Sequence, residues 1–388
     1  WMPIHFPPLT QDMQAHCEAV KDHIRMEIQK AGGLISFARF MELSLYAPGL
    51  GYYSAGCHKL GKSGDFITAP EISPLFGKCV AHQFADILQA LPNGDILELG
   101  AGSGVFAKDV ITELAQLKNL PSHYFILETS AELRRRQQEL LKAECPYYFS
   151  KIVWLDRLPQ AFHGIIFANE VLDALPTHCF QIQDKKVLER CVAIKDNDFT
   201  WTAKEPLTVE LAHKAESIAK EFNLLDGYHS EINLLIPHWI ASLANTLNQG
   251  VIIFFDYGYS RKEFYHHDRS NGTLRCYFQH RCHDDPFIFC GLQDITASVD
   301  FTSLVEDALD ARLQLSGYTT QSAFLLATGI AQFAEAPPFS MQHYQQNQAM
   351  KLLMLPSEMG TAVKAVAFTK QWDNPLRGFS LFDKRHEL

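Results

Sequence analysis

The sequence predicts an α/β protein built on a mainly parallel sheet wound with helices, and three observations carry that expectation. Apolar, strand-like runs at 95–99, 123–128, 150–155 and 164–168 alternate with helical stretches, the rhythm of parallel strands joined by crossovers. Residues 95–104, DILELGAGSG, join one such run to a glycine-rich turn that opens a helix. The 388 residues are 47% hydrophobic and 20% charged, enough for a large core or two domains and unlike a disordered chain.

Composition also excludes function classes. A net charge of −10 argues against nucleic acid as a partner of the molecule as a whole. No segment approaches the roughly 18 consecutive apolar residues of a membrane helix, so no membrane insertion is expected. Nine cysteines without a C-x-x-C pair suit reduced thiols better than a disulfide framework or a zinc knuckle. The first residues lack the layout of a signal or transit peptide, and the terminal RHEL reads as chance.

Taken in order, residues 11–31 place Val20, Ile24, Ile28 and Ala31 at helical spacing before Gly32-Gly33, an amphipathic helix with a stop. Residues 35–45 read as a second helix. Residues 46–53, YAPGLGYY, are an ordered turn packed by aromatics, suited to a lid or entrance. Residues 64–73 offer Asp65, Thr68, Glu71 and Ser73, either as helix caps or as ligand-binding groups. A striped helix over 75–91 leads to the first core strand, and Val105, Val110, Ile111, Leu114 and Leu117 mark the helix after the glycine turn. A helix over 131–143 follows the second strand.

Beyond residue 176 the rhythm breaks. Residues 179–182, 187–194 and 199–201 alternate as β-strands, with Asp196-Asn197-Asp198 as a turn. Residues 177–230 are therefore read as an inserted α+β subdomain that shapes a substrate or partner surface. It separates two parts of the core, 75–176 and 231–388, and residues 1–74 form a helical lid region. A helix over 232–247, a strand over 251–255, an unusually polar segment 266–300, helices over 302–316 and 341–354, and a last strand over 361–368 complete the chain.

The candidate site lies at the carboxyl ends of the parallel strands, where such sheets bind ligands. Gly100, Gly102 and Gly104 admit a ligand close to the backbone. Gly102, Gly104 and Ala107 satisfy the dinucleotide spacing, which keeps a dinucleotide oxidoreductase as a rival reading. Glu98 argues against it, since a carboxylate there would face a pyrophosphate. S-adenosylmethionine has no phosphate and carries an ammonium and a sulfonium, so it is the expected cofactor. Glu128 ends the second strand, where adenosine cofactors place ribose hydroxyls. Trp154 is a candidate to flank adenine and Asp156 to accept from its amino group. Asn169, Glu170 and Asp173 follow the fourth strand beside the expected methyl donor. His280-x-x-His283 with Asp284 is read as a hydrogen-bonding wall, with no metal expected.

The stretches SFARFMELSLYAPGLGYY, GDFITAPEISPLFG, ELGAGSG, ANEVLDALP, and DYG followed by GTLRCYFQHRCHDDPF and DITASVDF occur in one order. Together they resemble the MidA-like methyltransferases over nearly the whole chain. The resemblance implies a Rossmann-type class I methyltransferase core with an antiparallel last strand and a helical N-terminal region. It also implies S-adenosylmethionine as cofactor and an arginine side chain of a protein as methyl acceptor, a respiratory-complex subunit in the mitochondrial members. The mitochondrial targeting sequence of those members is not seen, so a bacterial-type cytoplasmic protein is expected. For an arginine acceptor, Glu170 and Asp173 are the candidates to orient the guanidinium, Asn169 to line the donor, and His280 or His283 to take a proton. The competing assignment has Asp173 capping a helix and Glu170 binding cofactor. A noncatalytic assembly factor retaining the fold is the alternative function, and a homodimer is left open.

Overall fold

The structure is a computed structural model that describes residues 6–55, 68–333 and 340–388. Helix α1 (Gln11–Lys30) buries Cys17, Val20, Ile24 and Ile28 on one face, and Thr10 caps it by accepting from the Met13 amide. The helix expected over 35–45 starts later: Leu34–Ser36 form strand β1, and α2 spans Phe37–Tyr46. Residues 34–36 are drawn into a ladder with a strand far along the chain. Ser36, extended, then caps α2 by accepting from the Arg39 amide.

A short α3 (Ala69–Ile72) precedes α4 (Pro74–Ala90), which delivers the chain to β2 (Asp95–Leu99). Then α5 (Val105–Gln116), β3 (Tyr124–Leu127), α6 (Ala131–Glu144), β4 (Ile152–Leu155) and β5 (Phe162–Asn169) alternate as the sequence predicts. Strands β6 (His178–Gln183), β7 (Lys186–Lys195) and β8 (Asp198–Lys204), helix α7 (Val209–Glu221) and strand β9 (His229–Ile232) interrupt that alternation. Asp196 and Asn197, both with positive φ, form a two-residue turn between the paired Lys195 and Asp198, the geometry of a tight hairpin.

Helix α8 (Ile236–Thr246) begins four residues later than expected. Ile232 still belongs to β9, and Asn233 Oδ1 accepts from the amides of Leu235 and Ile236 to start the helix. Strand β10 (Leu247–Tyr259) far exceeds the expected 251–255. Then come α9 (Arg261–Phe264), β11 (Arg275–Phe278), β12 (Arg281–His283), β13 (Asp294–Thr296), β14 (Val299–Asp300) and α10 (Phe301–Asp310). The helix expected over 302–316 stops at Asp310, because Arg312 takes a left-handed φ of 64° and residues 314–320 enter the sheet. These form β15 (Gln314–Thr320), followed by α11 (Gln321–Ala327), α12 (Met341–Met354) and β16 (Val363–Lys370).

The central sheet runs β15-β16-β10-β5-β2-β3-β4, with β14 added to β10. Strands β10, β5, β2, β3 and β4 are parallel, and β16 is antiparallel to both its neighbours. This is the mainly parallel sheet with an antiparallel last strand that the class I expectation specifies. Both faces are covered: Phe76, Phe84, Phe106, Phe167 and Phe255 pack on one, Ile166, Ile240, Leu243, Phe254 and Leu304 on the other. Burial on both faces explains why the core strands read as continuous apolar runs.

A second layer sits at the carboxyl end of this sheet. Strands β1, β7, β6 and β9 form an antiparallel sheet with β8 on β7, and β12, β11 and β13 form a small one. The apolar faces of α1, α2, β7 and β11 share one cluster that includes Val20, Phe40, Val192 and Cys276. The first fifty residues, the interrupting strands and the polar segment thus build one layer from distant parts of the chain. Hydrogen bonds tie it to the core: Tyr46 Oη donates to the Ala174 carbonyl at 2.8 Å, and the Ala297 amide to the Asp173 carbonyl at 2.9 Å. No helix among the described residues is long and apolar enough to cross a membrane.

Candidate active site

Strand β2 runs into Gly100, Gly102 and Gly104, whose φ angles are 64°, 54° and 86°. A Cβ on Gly100 would lie 3.0 Å from Val171 Cγ2, so both backbone and space call for glycine there. Beneath the turn sits Gln137 of α6, fully buried. Its Nε2 donates to the Gly102 carbonyl at 2.9 Å and to Glu128 Oε2 at 3.1 Å, while its Oε1 accepts from Trp154 Nε1 at 3.0 Å. One amide therefore fixes the glycine turn, the carboxylate at the end of β3 and the indole of β4 together. Glu128 also accepts from the Ser130 amide at 2.9 Å, and burial raises its pKa.

Other expected cofactor groups are placed differently. Glu98 lies inside β2 rather than at an open strand end, 4% exposed, with Oε2 accepting from Tyr124 Oη at 2.7 Å. Burial pushes its pKa up to about 8, so at neutral pH it is largely protonated and its argument against a pyrophosphate loses force. Asp156 points outward, its side chain 88% exposed in an ion pair with Arg134 at 2.8 Å. Arg134 holds it there while also donating to the carbonyls of Glu128 and Leu155, so Asp156 belongs to a surface staple across the ends of β3 and β4. Thr68 precedes α3 without a side-chain capping bond, whereas Ser73 caps α4. Glu71 accepts from Ser103 of the glycine turn. Asp65 lies outside the described residues.

The end of β5 carries the second half of the site. Glu170 adopts a φ of 52°, and its amide donates to the Phe255 carbonyl at 2.8 Å. Its Oε1 accepts from the Ala69 amide at 3.3 Å and from Asn169 Nδ2 at 3.1 Å. Among the described residues its Oε2 and Asn169 Oδ1 are buried without a hydrogen-bond partner, although part of each residue stays open to solvent. Burial, with Asp256 adding like charge, raises Glu170 to about 8. Asp256, at the end of β10, accepts from the amides of Leu172, Asp173 and Tyr257, and burial holds it at about 7. Asp173 is raised well above the usual carboxylate range by burial and then by Asp256, Glu170 and Asp294. Asp294 accepts from Tyr53 Oη at 3.0 Å. Four acids from three distant stretches thus share one buried region, an arrangement that calls for a cation.

Asp173 also faces outward into a cleft of about 190 Å³ walled by Tyr257, Tyr259 and Tyr277. Glu170, bonded to Ala69, faces the side of the glycine turn that Glu71 of the same short helix reaches. The competing assignment of Asp173 as a helix cap finds no helix to cap, since residues 171–177 are turn and irregular backbone, and Asp256 takes the amides of Leu172 and Asp173 after β5. The histidines do not join the group. His280 is exposed in the two-residue turn between β11 and β12, with φ 62°. His283 pairs with Cys276 on the apolar face of that hairpin, against Phe6 and Phe289, while Tyr277 occupies the opposite, site-facing side. Among the described residues no group of three or more His, Cys, Asp or Glu is arranged to hold a metal ion. Sequence reading thus missed Gln137, Asp256, Asp294 and the tyrosines. The available signals were a glutamine on the buried stripe of α6 and acids at the ends of a core strand and of β11's partner.

Residues 79–319 match the family described as "Putative S-adenosyl-L-methionine-dependent methyltransferase". The chain belongs to this family. A Burkholderia thailandensis protein crystallised with S-adenosyl-homocysteine superposes with a TM-score of 0.94 at 38% identity, covering 99% of this chain and 100% of that one. A native crystal form of a Burkholderia thailandensis protein gives 0.92 at 38% identity, with the same coverage. Among curated proteins, the Drosophila melanogaster mitochondrial "Protein arginine methyltransferase NDUFAF7 homolog" is 27% identical over 86% of this chain and 81% of its own length. The Homo sapiens protein of that name is 28% identical over 79% and 73%. The MidA-like resemblance is therefore a family relation, the protein is an S-adenosylmethionine-dependent methyltransferase, and the dinucleotide alternative falls away.

The residues fit that cofactor. The glycine turn leaves the backbone open, Glu128 ends the strand beside it, and Trp154 is fixed within the same network by Gln137. Asn169 Oδ1 and Glu170 Oε2, without a partner among the described residues, are acceptors suited to a cationic group.

Proposed function

We propose that this methyltransferase acts on an arginine side chain of a protein. The observation that supports the reading best is the buried group of Glu170, Asp173, Asp256 and Asp294, of which Asp173 meets the tyrosine-walled cleft. A guanidinium carries a fixed charge, presents N–H donors in a planar fork and stacks on aromatic faces. It meets acids and tyrosines here. Names of relatives support the same acceptor, and the respiratory-complex subunit that the MidA-like resemblance implies is the substrate to try first.

When bound, S-adenosylmethionine supplies a methyl group activated by its sulfonium. Glu128 would accept from ribose hydroxyls, Trp154 flank the adenine, and Asn169 lie beside the methionine portion. Asp173 would accept guanidinium N–H bonds and hold one nitrogen in line with the methyl, the positioning on which such a displacement chiefly depends. The guanidinium charge lowers the pKa of the surrounding acids, so they ionise as it enters. Methylation leaves the product with one proton in excess. Glu170, whose carboxyl burial keeps protonated near neutral pH in the free protein, would be ionised by the entering guanidinium and so able to accept it.

The test is mass spectrometry of methylarginines in cells with and without the gene, complemented by the wild-type protein or by Glu170→Gln. An arginine methylated only with the wild-type protein supports the reading. Loss of methylation at a different residue type refutes it, and an unchanged methylation pattern favours a noncatalytic assembly factor.

A further inference from the structure

The tyrosine-walled cleft above Asp173 adjoins a second, larger space. It shares Tyr259, Arg269, Gly272 and Arg275 with a broad, open groove of about 1030 Å³, so these four residues form the neck between the two. Arg269 is held in place at the neck: its guanidinium lies 3.9 Å over the Tyr259 ring, and its Nη1 donates to the Glu263 carbonyl. Arg275 is exposed and donates to the Leu274 carbonyl at 2.7 Å. The outer groove carries Lys262 and Lys384 beside Glu263, Asp268 and Glu387; Lys384 is already paired with Glu387 at 2.7 Å. Two arginines thus flank the way to Asp173 and the acids buried behind it, in a chain whose net charge is −10.

This placement poses a physical problem for the acceptor. Buried acids in an acidic protein attract a cation, but a cationic side chain entering through this neck must pass two like charges. Carboxylates adjacent to the acceptor remove the conflict, because guanidinium groups bind carboxylates through paired N–H donors. We propose that the acceptor polypeptide lies in the outer groove, inserts its arginine through the neck to Asp173, and is selected by Arg269 and Arg275 for acidic residues flanking that arginine. The inference rests on the arginine reading above and adds to it the substrate's sequence character and its route of entry. Free arginine and lysine- or arginine-rich segments are disfavoured at the neck.

Steady-state methylation of two synthetic peptides tests this. Each contains a single arginine; one carries Glu and Asp within three residues on either side, and the other has Gln and Asn in their place. The acidic peptide is expected to show a kcat/KM at least about tenfold higher, mostly through KM, as complementary charge at a rim acts on association. Arg275→Gln should cut that preference about fivefold or less, the size of an exposed pair, with kcat falling less than KM rises. Arg269→Gln should act in the same direction, and S-adenosylmethionine affinity, measured by thermal shift on each preparation, reports whether the fold is intact. Because Arg275 is exposed, its variant tests the idea even where Arg269→Gln disturbs Tyr259. Equal kcat/KM for the two peptides, or a preference for the neutral one, overturns this inference and leaves arginine methylation standing. Transfer to another residue, or to neither peptide, overturns both.

Discussion

Replacing Glu170 by Gln should make the protein more stable at alkaline pH and at the same time almost inactive. The carboxyl is held at about 8 against a usual 4.5, a difference corresponding to up to ~5 kcal/mol at about 1.36 kcal/mol per unit. The sign follows from which state binds protons. Between about 4.5 and 8 the folded state keeps a proton on Glu170 that the unfolded state has lost, so stability falls as pH rises through that range. Below it both states are protonated and the penalty vanishes. Gln keeps the acceptor for Ala69 and Asn169 and removes the charge beside Asp256 and Asp173. Those neighbours share the electrostatic cost, so the variant recovers only part of it, about 2 kcal/mol, or roughly 2–3 °C in melting temperature for a chain of this size. Paired melts of wild type and variant at pH 5 and pH 8.5 measure it. The account expects near coincidence at pH 5, a higher melting temperature for the variant at pH 8.5, little change in S-adenosylmethionine affinity, and single-turnover transfer reduced on the order of 100-fold or more. A variant less stable than wild type at pH 8.5 would refute the electrostatic reasoning. Collapsed cofactor affinity with normal transfer at saturation would make Glu170 a cofactor ligand, leaving the catalytic role to Asp173.

Further predictions concern the cofactor half and the groups that lie apart from it. Glu128→Ala should reduce the thermal stabilisation given by S-adenosyl-homocysteine. Gln137→Leu removes the shared partner of Gly102, Glu128 and Trp154, so isothermal titration should show weaker cofactor binding by about tenfold or more; unchanged affinity would mean that the network is only structural. Asp156→Ala should leave cofactor affinity within about twofold, since its exposed ion pair contributes little. His280→Ala should retain activity, because that side chain is exposed at a hairpin turn; loss of transfer with normal folding would restore the histidine as a proton acceptor.

The legible parts of this protein are those in which neighbouring residues determine the geometry. The glycine turn could be read because positive φ and close approach both demand glycine at Gly100, and the core strands because burial on two faces leaves a continuous apolar signature. The acid group was half legible. Glu170 and Asp173 announce themselves beside a strand end, whereas Asp256 and Asp294 join them only through the pairing of β10 with β5 and of β13 with β11. Parity defeated the histidine assignment. The two-residue turn at Gln279 and His280, both in the left-handed region, sets which side of the hairpin faces the site, and it delivers Tyr277 there instead of His283. Arg134 misplaced Asp156 for a similar reason, since its reach to three groups at the ends of β3 and β4 becomes visible only when those strands are adjacent.

The central claim, that the acids around Glu170 present an arginine of a protein to S-adenosylmethionine, is tested most directly by identifying the atom that receives the methyl group. Purified protein is incubated with S-adenosylmethionine carrying a deuterated methyl and with extract from cells lacking the gene, and the labelled peptides are fragmented by mass spectrometry. The account predicts label on a guanidinium nitrogen of an arginine with the wild-type protein, and about a hundredfold less with Glu170→Gln. Label on lysine, on a carboxylate or on a small molecule, at a rate that Glu170→Gln leaves unchanged, would contradict it.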